Sequence, residues 1–152
     1  MKKLFMWTVV AAVLPVGMSS VAFADKDRDR CGLQTLRGRY VFSASGFAIN
    51  AVSGAAQPKA IVEVIDFNGD GTLDVPAATR SVNGVVARSL PSVGSYTVTD
   101  DCAGTITFDG PAFDIFIAPR GNQLWLIQTN PNNVFQGSAT RTSHETPDQD
   151  PR

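Results

Sequence analysis

Histidine is nearly absent from this chain: a single one, His144, stands in a polar stretch close to the end. That excludes, as default readings, a histidine-based catalytic triad and a zinc centre built from several imidazoles. Cysteine is also scarce, and the 2 present, Cys31 and Cys102, do not form a Cys-x-x-Cys pair, so neither a thiol redox motif nor a thiolate metal knuckle is offered. The chain lacks Gly-x-Ser-x-Gly, a phosphate-binding loop and a dinucleotide fingerprint. No excess of positive charge exists either, with 13 basic against 14 acidic residues and no basic stripe. This argues against nucleic acid as a partner. No repeat of solenoid period is present.

Long apolar runs are missing too, except at the very start. Lys2 and Lys3 precede an apolar stretch from Leu4 to Val16, and Ala22-Phe23-Ala24 supplies a small-residue cleavage pattern before Asp25. The expectation is a secretory signal over residues 1–24, removed on export to the periplasm or the medium. Pro15, Gly17, Ser19 and Ser20 interrupt the stretch too early for a comfortable membrane span, and none is expected after processing. Of the 152 residues, 24 would go, and Lys2 and Lys3 with them, leaving a mildly acidic single domain. In an oxidising compartment the two cysteines read as one disulfide, Cys31–Cys102.

What the chain does have is period-two apolar spacing. A charged leader, 25–30, precedes a body from 31 to 141, and a polar tail, 142–152, cannot bury a face. Within the body, strands are expected at Gly38–Ser45, Ala60–Phe67, Thr72–Val75, Ala78–Val82, Val85–Ala87, Gly94–Thr99, Gly104–Phe108, Ala112–Ala118, Gln123–Thr129 and Val134–Arg141. Asn83-Gly84 is a strong two-residue hairpin signal. Only Leu33–Leu36 reads as a helical turn. The fold class is all-β: a small antiparallel barrel of about eight strands, which closure would rid of open edges, with a β-sandwich as the alternative.

Several stretches carry a rhythm: Leu36-x-Gly38-x-Tyr40-x-Phe42, Asp66-Phe67-Asn68-Gly69-Asp70-Gly71-Thr72-Leu73, Gly94-Ser95-Tyr96-Thr97-Val98, Asp101-Cys102-Ala103-Gly104-Thr105 and Gly137 to Arg141. This resembles a group of small secreted bacterial proteins whose barrel is calycin-like, similar to allene oxide cyclases and dirigent proteins. The resemblance covers roughly 31–141. It implies an apolar interior able to hold a small ligand, and it transfers no active-site residue to this chain.

Three sets of residues are candidates for chemistry. Glu63 shares a strand face with Ile61 and Ile65, and Asp114 shares one with Phe116; an inward-facing carboxyl would be desolvated and raised toward a working acid or base. Tyr40, Tyr96, Phe42 and Gln128 are candidates for the same cavity. The alternative puts both acids on a solvated face, and for Asp114 the more apolar opposite face of Phe113, Ile115 and Ile117 favours it. Trp125 reads as core beside Leu124 and Leu126, or as ligand wall. Asp66, Asn68, Asp70 and Asp74 match the beginning of a calcium loop, but Ala77 stands where the closing glutamate belongs, and an Asn-Gly-Asp-Gly hairpin turn is the competing reading. Calcium apart, no cofactor is implied.

The functional expectation is a secreted or periplasmic barrel that binds a small apolar molecule, or an extracytoplasmic partner. An isomerase or cyclase acting on a small apolar substrate and a weak calcium-binding module are the alternatives. Mass spectrometry of the protein recovered from outside the cytoplasm should find Asp25 as its first residue; full-length chain in the cytosol would contradict the export reading.

Overall fold

The computed structural model describes residues 30–89 and 91–144. The expected signal segment, most of the charged leader and the end of the polar tail lie outside the described residues.

Nine strands alternate with short turns: β1 Gly38–Ile49, β2 Ala56–Phe67, β3 Thr72–Val82, β4 Val85–Arg88, β5 Ser92–Val98, β6 Ala103–Phe108, β7 Ala112–Ile117, β8 Gln123–Gln128 and β9 Asn133–Ser143. All pairings are antiparallel. Each barrel strand pairs with the next, and β9 returns to β1, so eight strands close on themselves while β4 is added to β3 alone. The barrel expectation is met, and the sandwich is not formed.

Closure demands close backbone approach at the β1–β9 seam. There a Cβ on Gly137 would collide with the Ser43 carbonyl oxygen, and one on Gly46 with that of Val134. Glycine is the residue that fits.

The strand boundaries were legible to within a few residues, with two instructive differences. The strand expected from Ala60 begins at Ala56 and runs through Pro58, which has no N–H for the ladder. Pro76 suggests a break between two strands, but β3 is continuous. The chain absorbs the proline in a bulge: Val64 pairs with Ala77 and Asp66 with Asp74, leaving one extra residue on β3. The bulge flips the pleat, so Leu73 and Val75 face inward below it and Ala78 above it. β3 presents one edge to β2. The other is shared, with Thr72–Val75 meeting β5 and Thr79–Val82 meeting β4. Pro76, with no N–H to give, sits where the two partners part.

One end of the barrel is plugged. A 3-10 turn, Leu33–Leu36, lies across it with Leu36 fully buried over Tyr40, Phe67 and Tyr96. The rings pack edge to face, Tyr40 on Phe67 at 5.1 Å and Phe67 on Tyr96 at 5.0 Å between centroids. The Cys31–Cys102 disulfide ties this plug to the turn between β5 and β6, as the sequence led one to expect, and Cys31 N–H donates to the Asp100 carbonyl at 3.2 Å. Gln34 adds a donation to the Gly69 carbonyl at 2.8 Å. The opposite end carries no such plug among the described residues, and the site lies there.

A bridge closing 71 positions of sequence limits the unfolded chain strongly, on the order of 4 kcal/mol in the loop-entropy account. Replacing both cysteines by alanine should cost roughly 2–4 kcal/mol in a denaturant titration. A loss below about 0.5 kcal/mol would show that the plug is held without it.

Candidate functional site

Pleat alternation builds the site. On β2, Lys59, Ile61 and Glu63 share the inward face; on β1, Phe42 and Ala48 do; on β7, β8 and β9, Phe113, Gln128 and Phe135 do. Above the bulge, β3 contributes Ala78, Arg80 and Val82. Together these residues enclose a cavity of about 500 Å³ at the open end, which reaches Pro91, Ser92 and Phe108 across the gap between β4 and β5. Phe42 and Phe108 both meet Phe113 edge to face, at 6.4 and 6.2 Å, which gives the floor its shape.

Glu63 stands in this wall at 9% exposure. No side chain among the described residues donates to its carboxyl. Burial alone acts on it, and raises its pKa from 4.5 to about 7. Lys59 is the other built feature. Its ammonium donates to Gln128 Oε1 at 2.7 Å and Asn133 Oδ1 at 3.0 Å and rests 4.0 Å above the Phe135 ring centre. Burial lowers its pKa, and the nearby Arg80 charge lowers it further.

The expected site residues thus divide. Glu63, Phe42 and Gln128 come together in the cavity. Asp114 is exposed on the outer face of β7, as the apolar alternation of Phe113, Ile115 and Ile117 suggested. Tyr40 and Tyr96 are buried at the plugged end, with their hydroxyls committed. Tyr40 donates to the Gly121 carbonyl at 2.5 Å and accepts from Arg141 Nε at 2.9 Å; Tyr96 donates to the Leu33 carbonyl at 2.9 Å. Burial pushes the Tyr40 pKa up to about 12, which suits a structural hydroxyl rather than a proton carrier.

Trp125 is neither core nor cavity wall. It is 48% exposed on the outside of the barrel, paired across strands with Phe116, because Leu124 and Leu126 take the inward face of β8. It borders an open groove on the outer wall with Ser43, Ser45 and Ser138.

Side-chain oxygens of the Asp66–Asp74 turn are taken up by donors of the protein itself. Both Asp66 carboxylate oxygens accept from Arg39 of β1, at 2.7 Å each. Asp70 Oδ1 accepts from the Thr72 N–H at 2.9 Å, and Asn68 Nδ2 donates to Asp74 Oδ2 at 3.1 Å. Gly69 and Gly71 take positive φ, as a hairpin turn requires. Among the described residues no group of three or more His, Cys, Asp or Glu side chains is placed to hold a metal.

Sequence reasoning passed over Lys59 and Arg80. Pro58 hid the first by delaying the expected start of β2. The Pro76 bulge hid the second, because it reverses which face of β3 looks inward. A scan against family models finds no match, and no curated protein matches this chain significantly.

The buried acid has a pH signature. The folded state favours protonated Glu63 up to about pH 7, whereas the unfolded chain releases that proton near pH 4.5. Its stabilising effect is therefore complete below pH 4.5 and is lost as pH rises through 7, a loss on the order of 3 kcal/mol. Glu63→Gln removes this titration. Urea unfolding should find the variant more stable than the parent by up to about 3 kcal/mol near pH 8 and the difference gone near pH 4. Parallel pH profiles for the two proteins would contradict a desolvated Glu63.

Proposed function

We propose that this protein binds a small apolar molecule inside the open end of its barrel, in an oxidising compartment outside the cytoplasm. The observation that carries this reading is the cavity of about 500 Å³. An eight-stranded barrel has an interior that its own side chains can fill, and at the open end of this one they leave a cavity. The volume falls within the range of about 300–1,000 Å³ usual for ligand sites. Aromatic and aliphatic walls supply affinity by burial, while polar groups of the lining, Glu63, Gln128, Lys59 and Arg80 among them, orient what enters. The Cys31–Cys102 bridge supports the compartment, since such bonds persist where thiols are not kept reduced.

A second reading, in which the bound molecule is isomerised or cyclised, is favoured by Glu63. A carboxyl without a hydrogen-bond partner among the described residues, set in an apolar wall with a pKa of about 7, is matched to proton transfer near neutrality. Under that reading Glu63→Gln retains the ligand and abolishes turnover.

The uncharged fluorophore N-phenyl-1-naphthylamine tests the binding reading. It should bind saturably, one per chain, and Ala78→Phe, which pushes a ring into the cavity, should weaken it at least about tenfold. Ala48→Phe fills the space from another wall and serves if Ala78→Phe fails to fold. An absence of saturable binding, or binding indifferent to a folded filling variant, would refute the site.

A further inference from the structure

Lys59 and Arg80 border the cavity on adjacent strands. Arg80 lies directly across from Ile61, and Lys59 is two residues from Ile61 on the same inward face, so the two cations are diagonal neighbours. They are near enough for the Arg80 charge to depress proton binding at Lys59. Lys59 is half-buried beside apolar walls and Arg80 is exposed at the rim, and like charges set this close favour an opposite charge between them.

No carboxylate among the described residues forms an ion pair with either cation. The groups that accept from Lys59 are neutral amides, which orient the ammonium without neutralising it. They use two of its three N–H donors. Glu63 lies across from Ala78 and is therefore a diagonal neighbour of Arg80 as well, but its carboxyl forms no ion pair or hydrogen bond with either cation, and burial raises its pKa to about 7. Asp109, the other acid at the mouth, is exposed on the β6–β7 turn and makes no ion pair with either cation. Where this chain does want a neutralised arginine it builds one, in the bidentate Arg39–Asp66 pair.

We infer that the ligand is an amphipathic anion, its apolar body lying against Phe42 and Phe113 and its anionic head lying between Lys59 and Arg80. This rests on the ligand-binding reading above and names the class of molecule that site takes. The head receives charge-assisted donation from the half-buried Lys59 ammonium and from the Arg80 guanidinium at the exposed rim. Glu63, beside Arg80 and protonated at mildly acidic pH, then meets the ligand as a neutral carboxyl and does not repel its head. A purely apolar molecule would leave both cations unmet.

Two fluorophores with one aromatic skeleton test this: N-phenyl-1-naphthylamine, which is neutral, and 1-anilinonaphthalene-8-sulfonate, which adds the anion. The readout is the ratio of their two affinities in the same protein, so a general change in the cavity cancels. The parent protein should prefer the sulfonate by at least about tenfold at low ionic strength, with the preference shrinking as salt is added. In Lys59→Gln/Arg80→Gln the ratio should fall to within about twofold of unity. Each single variant should lie between, which keeps the test usable if the double variant does not fold. Equal affinities in the parent, or a preference that survives the double substitution, would overturn the inference while leaving the neutral ligand site in place. Failure of both probes to bind would overturn the site itself.

Discussion

The seam between β1 and β9 is the constraint on which the rest depends. β1 pairs with β2 along its whole length on one side and with β9 on the other. Only when the second pairing forms does the sheet lose its edges, and only then do its inward side chains enclose a volume. Gly46 and Gly137 lie at that seam because the opposing backbone leaves no room for a Cβ. Ser43 and Ser45, on the outer face of β1, keep the outside of the seam small. Open the seam, and Glu63 returns to water with nothing left to hold its proton.

Within the closed wall the two ends are built differently. The lower end is filled by large side chains whose polar atoms are all used: the Tyr40 and Tyr96 hydroxyls bond backbone carbonyls, and the disulfide pins the 3-10 turn across them. At the upper end the Pro76 bulge separates β4 from β5 and turns Ala78, Arg80 and Val82 inward. Small Ala78 there leaves space that a larger residue would fill. The same proline that ends one pairing therefore opens the barrel and delivers a cation to its mouth. A packed, fully satisfied end gives the scaffold rigidity, and the unfilled end gives it a place to act.

How far the sequence revealed this follows from the pleat. Period-two spacing located every strand of the wall, and Asn83-Gly84 located the β3–β4 hairpin, because both signals are local. The Cys31–Cys102 pairing followed from there being no other cysteine. Alternation also placed Asp114 outside. Applied strictly, it would have placed Trp125 there too, since Leu124, Leu126 and Gln128 form the other set; size and hydrophobicity alone suggested core. Glu63 stayed ambiguous because Val62 and Val64 are as apolar as Ile61 and Ile65, and only closure decides between the faces. Tyr40 and Tyr96 do face inward, but which end of the barrel they occupy depends on strand register, a long-range property. Arg80 was hidden because a one-residue bulge reverses facing without leaving a periodic trace.

The most direct test of the central claim, that the unfilled end is the binding site, is an NMR titration of the protein with N-phenyl-1-naphthylamine. The account predicts shift changes and probe-to-protein contacts at Phe42, Ile61, Phe113 and Phe135, with Tyr40, Phe67 and Tyr96 undisturbed. Changes centred instead on Trp125 and Phe116 of the outer wall would contradict it.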